Sequence, residues 1–161
     1  MMKRIITVMI LALGFQLGQA QTIDELFNEF CEEENATYVK VPWLPIRLLS
    51  LFADDDAAQV AKHISSIRVL ELSDCSSKVK ERMASKLQAL NMKDYEPLLV
   101  VKENGSHVRM WGKKQDEYIK ELLIGVNDDS DAILCHIKGN LRMEDLNFSM
   151  KNNNVTLLSG K

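Results

Sequence analysis

From Thr22 onward the apolar residues first recur at helical spacing, with Ile23, Leu26, Phe27, Phe30 and Cys31 on one face. Thr22-Ile23-Asp24-Glu25 has the spacing of a capping box, so the pattern predicts a helix from there to about Asn35. The period then changes to two. Val39 and Val41 alternate with Tyr38 and Lys40 in a stretch rich in β-formers, which predicts a strand over 36–41 that Pro42 ends. Pro45 suits the first turn of a helix carrying Ile46, Leu49, Phe52 and Ala53. Asp54 to Asp56 interrupt it and cap a short second piece with Val60 and Ile64.

Alternation returns over Ser66 to Leu72, a second strand. The Ser76-Ser77 region caps a long helix whose stripe is Val79, Met83, Leu87 and Leu90. Its remaining faces are charged, as on a solvated surface helix. From Pro97 to Gly139 the chain reads as a meander. Asn104-Gly105 is a strong hairpin signal, because both central residues of a type I′ turn need positive φ. A two-residue loop there pairs Glu103 with Ser106, Val101 with Val108 and Leu99 with Met110, and that face is assigned to the core. The other face pairs Lys102 with His107, Val100 with Arg109 and Leu98 with Trp111. Residues 118–126 satisfy both helical spacing and alternation. Their β-branched residues and the Asn127 to Asp131 loop favour a strand returning into 132–139. The expected fold is α+β: a mainly antiparallel sheet of about six strands, with a C-terminal four-stranded meander and helices packed on it.

The first twenty residues stand apart from this pattern. Lys3 and Arg4 precede an apolar run, Ile5 to Phe15, too short to span a bilayer comfortably. Leu17-Gly18-Gln19-Ala20 then offers small residues where a signal peptidase reads, placing cleavage between Ala20 and Gln21. The expected division is a signal peptide over 1–20, a single α+β domain over 21–150 and a tail over 151–161. No later segment reads as a membrane span. Removing Lys3 and Arg4 from 20 Lys plus Arg leaves 18 against 23 acids, a net charge of −5. That balance argues against nucleic acid and anionic membrane surfaces as partners.

Candidate chemistry is sparse. Leu134 to Leu146, LCHIKGNLRMEDL, gathers a cysteine, a histidine and two acids. On a strand, however, Cys135 and His136 point to opposite faces and cannot act as nucleophile and base. Cys135, flanked by Ile133 and Ile137, reads as an inert core thiol. Cys31, Cys75 and Cys135 allow at most one internal disulfide, and the sequence leaves open whether two of them pair. The three histidines fit no zinc spacing, and Asn127 to Asp131 lacks the glycine and distal glutamate of a calcium loop. The reading is therefore of a non-enzyme with no cofactor and no metal. One candidate interaction surface emerges. His107, Arg109 and Trp111 share the second face of the hairpin, and arginine and tryptophan are enriched at binding hot spots.

Several short motifs in order and spacing support a family resemblance: Glu25-Leu26-Phe27 with Phe30, Ser66-Ile67-Arg68-Val69-Leu70, Val79-Lys80-Glu81-Arg82, Lys102-Glu103-Asn104-Gly105 with Val108-Arg109, Ile119-Lys120-Glu121-Leu122 and Ile137-Lys138-Gly139-Asn140-Leu141. Together they resemble the small exported Bacteroidetes proteins of domain-of-unknown-function family 4252. The resemblance implies a Gram-negative envelope location, periplasmic or secreted, and carries no catalytic residue. The functional expectation is an exported, soluble, non-enzymatic interaction or regulatory module for an envelope protein or peptide. The alternative is a periplasmic carrier of a small apolar ligand. Intact mass of exported protein should place the N-terminus at Gln21; a mature chain that retains Phe15 would overturn the export reading.

Overall fold

The computed structural model describes residues 21–43, 45–46, 51, 55–144 and 146. Residues 1–20, where a signal peptide is expected, most of the helix expected after Pro45 and the tail expected over 151–161 lie outside the described residues. The elements run α1 (Ile23–Phe30), β1 (Thr37–Pro42), α2 (Asp55–Lys62), β2 (Ile64–Glu71), α3 (Ser77–Gln88), β3 (Glu96–Glu103), β4 (Ser106–Gln115), β5 (Tyr118–Asn127) and β6 (Ala132–Leu141). The strands form one six-stranded sheet in the order β1-β2-β6-β5-β4-β3, each pair antiparallel. The α+β expectation with its C-terminal meander is met.

Local chemistry explains most element ends. The capping box forms as written: Thr22 N–H donates to Glu25 Oε2 at 2.8 Å, and Glu25 N–H donates to Thr22 Oγ1 at 3.2 Å. The helix stops at Phe30 rather than near Asn35. Glu32, Glu33 and Glu34 would load the negative end of its dipole with more negative charge, and Asn35, at φ 66°, turns the chain away. Pro42 is included in β1, where an edge strand tolerates its missing donor. Ile64, expected at the end of a helix, instead opens β2 opposite Gly139. Asn104 and Gly105 take φ of 50° and 83°, as the hairpin turn requires.

The hairpin register agrees with expectation except at one pair. Trp111 lies opposite Pro97, not Leu98, because the strand bulges between Pro97 and Leu99. Leu98 then turns to the other face and is 1% exposed. Gly112 makes this possible, since a Cβ there would lie 2.6 Å from Leu98 Cδ1. β5 settles the ambiguity over 118–126 through pairing on both sides, with β4 and with β6.

Both faces of the sheet are packed. On one, α1 and α3 bring Leu26, Phe27, Phe30 and Met83 against Leu70, Leu123 and Leu134, with Trp111 at the margin. On the other, Leu98, Leu99, Met110, Leu122 and Leu141 meet Val60 of α2, with Met143 and Leu146 beyond β6. The hydrophobic face assigned to the hairpin is thus only half of the core. All three cysteines are free thiols, and burial pushes the Cys135 thiol above its ordinary range, as its isoleucine neighbours implied.

Gly139 is the tightest point of the sheet. A Cβ there would sit 2.1 Å from the His63 carbonyl oxygen, where backbone approaches backbone and Asn140 N–H donates to that same oxygen at 2.8 Å. Gly139→Ala is expected to cost about 1–3 kcal/mol through forced displacement of β2 from β6, measured by urea unfolding. An unchanged midpoint would contradict this close approach.

Candidate functional site

Alternation places Arg68 of β2, His136 of β6 and Glu121 of β5 on the face that α1 covers. Arg68 and His136 face each other directly across the ladder, and they are 9% and 1% exposed. Arg68 Nη2 donates to Asp24 Oδ1 at the start of α1 and lies 2.8 Å from His136 Nδ1. A guanidinium has no acceptor, so Nδ1 must be the unprotonated nitrogen and Nε2 carries the hydrogen. Nε2 then donates to Glu121 Oε2 at 2.9 Å, and the Tyr95 hydroxyl donates to the same oxygen at 2.6 Å. Phe27 lies over the Arg68 guanidinium at 4.4 Å, adding a cation–π contact.

The charge states follow. Burial, assisted by Arg68 and Lys138, holds the His136 imidazole below its ordinary value against the pull of Glu121. Burial opposes ionisation of Glu121, yet the hydrogen bonds from Tyr95 and His136 outweigh it and keep the carboxyl below its usual range. The Arg68 hydrogen bond holds Asp24 low, and burial with the Glu121 carboxylate pushes the Tyr95 phenol up. The imidazole is therefore neutral, and both of its nitrogens are engaged within the chain. It has no nitrogen left to offer a substrate. Chemically the chain Asp24-Arg68-His136-Glu121-Tyr95 is a clamp that ties α1 to three strands.

The expected surface residues lie elsewhere on the same face. His107 is exposed, Arg109 is half-buried, and Trp111 packs against the cluster under α1 and α3. The helix α3 thus covers part of the face, and Trp111 belongs partly to the core. His107 and Arg109 instead line a cleft of about 80 Å³ between α3 and strands β4 to β6. Its floor is apolar, with Met83, Leu87 and Leu134, and Lys80 joins the two basic residues at the rim. Gly125, opposite Arg109 in the ladder, lets α3 come close, since a Cβ there would lie 3.1 Å from Leu87 Cδ2. Among the described residues, no group of three His, Cys, Asp or Glu side chains is placed to hold a metal. No described helix is long and apolar enough to cross a membrane.

The clamp is not legible in the local sequence pattern, which places His136 on a strand pointing away from Cys135 and at no zinc spacing. A signal existed: Arg68, Glu121 and His136 interrupt otherwise apolar positions on three strands. Its meaning depends on β2 lying beside β6, a pairing between distant segments.

Acid should loosen the clamp. His136, Glu121 and Asp24 all have folded values below their ordinary ones, so the unfolded chain binds protons more readily. Their stabilisation is present above the ordinary values and is lost as pH falls, first below the imidazole value of 6.5 and then through the carboxylate range. The urea midpoint should therefore drop between about pH 7.5 and 5.5. His136→Gln should unfold earlier at the upper pH while losing most of that slope. A variant with the full wild-type slope would remove His136 as the cause.

No curated protein and no solved structure matches the chain. A family match covers residues 27–148, which include β1 to β6, Arg68, His136 and the cleft. The chain belongs to the family described as "Domain of unknown function (DUF4252)".

Proposed function

We propose that this is an exported protein of the Gram-negative envelope, periplasmic or secreted, that works without catalysis by seating part of an envelope protein or peptide. The export reading is supported by the order of basic, apolar and small residues over 1–20, and a Bacteroidetes source by the motif resemblance. The observation that carries the interaction reading is the cleft beside α3. It combines an apolar floor with basic groups at its rim, the chemistry of an anchor pocket at an interface.

At this cleft, size favours an anchor site over a carrier's cavity. Sites that enclose small molecules run to roughly 300–1,000 Å³. A cleft of about 80 Å³ suits one anchoring side chain better than an engulfed lipid. The carrier reading keeps one support, the adaptable methionine on the floor at Met83.

A photo-crosslinking residue at Gln88, on the rim, should yield a discrete adduct in the native envelope that Ala84→Trp, which fills the cleft, abolishes. The same probe at Lys62 on α2 should not yield that adduct. If both positions gave it, or if filling the cleft left it unchanged with the fold intact by thermal melting, the interaction reading would fail.

A further inference from the structure

Arg109 is the one guanidinium at the cleft, and among the described residues it makes no hydrogen bond, ion pair or ring contact. It is held half-buried on β4, the strand next to the sheet edge, between Val100 of β3 and Gly125 of β5. The other arginine on this face that packs against the core, Arg68, is paired with Asp24 and His136 through Nη2. An unspent, half-buried guanidinium favours a bidentate anion such as a carboxylate. The nearby acids do not supply one. Asp128 accepts from the N–H groups of Ser130 and Asp131 within the β5–β6 turn, and Asp129 sits by Gly105 at the hairpin tip. Lys80 reaches toward the same turn, donating to the Ser130 carbonyl at 3.4 Å.

We propose that the cleft binds the free C-terminus of a partner polypeptide, with the terminal carboxylate on Arg109 and the last side chain, apolar, on the floor between Met83, Leu87 and Leu134. This rests on the interaction reading above and narrows it. Two features select a peptide end over an aliphatic acid. The space of about 80 Å³ fits a single side chain, not a long alkyl tail. Gln88 and Asn127 add two side-chain amides beside it, which pair with a peptide backbone and have no use for a hydrocarbon. Carboxylate and side chain branch from one carbon at a peptide's end, so a site this small holds both.

The test uses the full mature chain and three fragments, N-acetyl-leucine, N-acetyl-leucinamide and octanoate, titrated by amide NMR. N-acetyl-leucine should produce saturable shifts at His107, Gly125 and Leu87, with the amide and octanoate each at least about tenfold weaker. Arg109→Gln should erase the preference for acid over amide while leaving the spectrum of the fold unchanged, because Arg109 holds no core partner. Equal binding of acid and amide would overturn the carboxylate assignment yet leave the cleft's crosslinking result standing. Octanoate binding as tightly as N-acetyl-leucine would overturn the peptide assignment in favour of aliphatic acids. Absence of any saturable shift would overturn the inference outright, whatever the crosslinking shows.

Discussion

A guanidinium at 9% exposure and an imidazole at 1% sit side by side in the middle of this sheet, and the fold is organised so that neither is left unpaired. A guanidinium taken out of water keeps its desolvation penalty if its partners are removed, even though Asp24 itself is largely exposed. Arg68 is therefore a demand on the rest of the molecule. Asp24 at the start of α1 supplies the countercharge, Phe27 supplies a ring face, and His136 accepts the remaining contact. That last role fixes the imidazole tautomer and turns its other nitrogen toward Glu121, which Tyr95 then locks from the segment leading into β3. One requirement thus ties together α1, β2, β6, β5 and the start of the meander. Hydrophobic burial brings the same elements together, but it is non-directional; the hydrogen-bonded chain specifies how they lie.

The sheet also has to manage two faces and two edges. With α1 and α3 on one face and α2 and the residues after β6 on the other, its inner strands bury apolar residues on both sides. The edges are protected differently. β1 carries Lys40 and ends in Pro42, and β3 begins Glu96-Pro97 and bulges before Leu99. Charge, proline and bulges are the devices that keep open strand edges from pairing with other chains.

Function, on this reading, is displaced from the clamp to the neighbouring cleft. The titratable groups under α1 satisfy one another, whereas Arg109 under α3 is shaped by the same sheet and remains unspent among the described residues. Gly125 is the hinge of that difference. Without a side chain there, Leu87 descends toward Trp111, and the space left beside Arg109 is narrow.

Local signals in the sequence were enough to predict most of the described elements, though not the end of α1 or the start of β2. The capping box at Thr22, the positive-φ pair Asn104-Gly105 and the two-residue alternation of β3 to β6 each act over a few residues, so they were legible without knowing what lay across the sheet. The same local logic put Cys135 and His136 on opposite faces and brought His107, Arg109 and Trp111 onto one. What it missed depends on neighbours distant in the chain. The bulge that moves Trp111 opposite Pro97 answers to Gly112 across the hairpin. Above all, only the tertiary structure set β2 against β6. That long-range pairing converts three scattered polar residues into one buried chain, because burial of a charge acquires a meaning only when the partner that offsets its desolvation is in place.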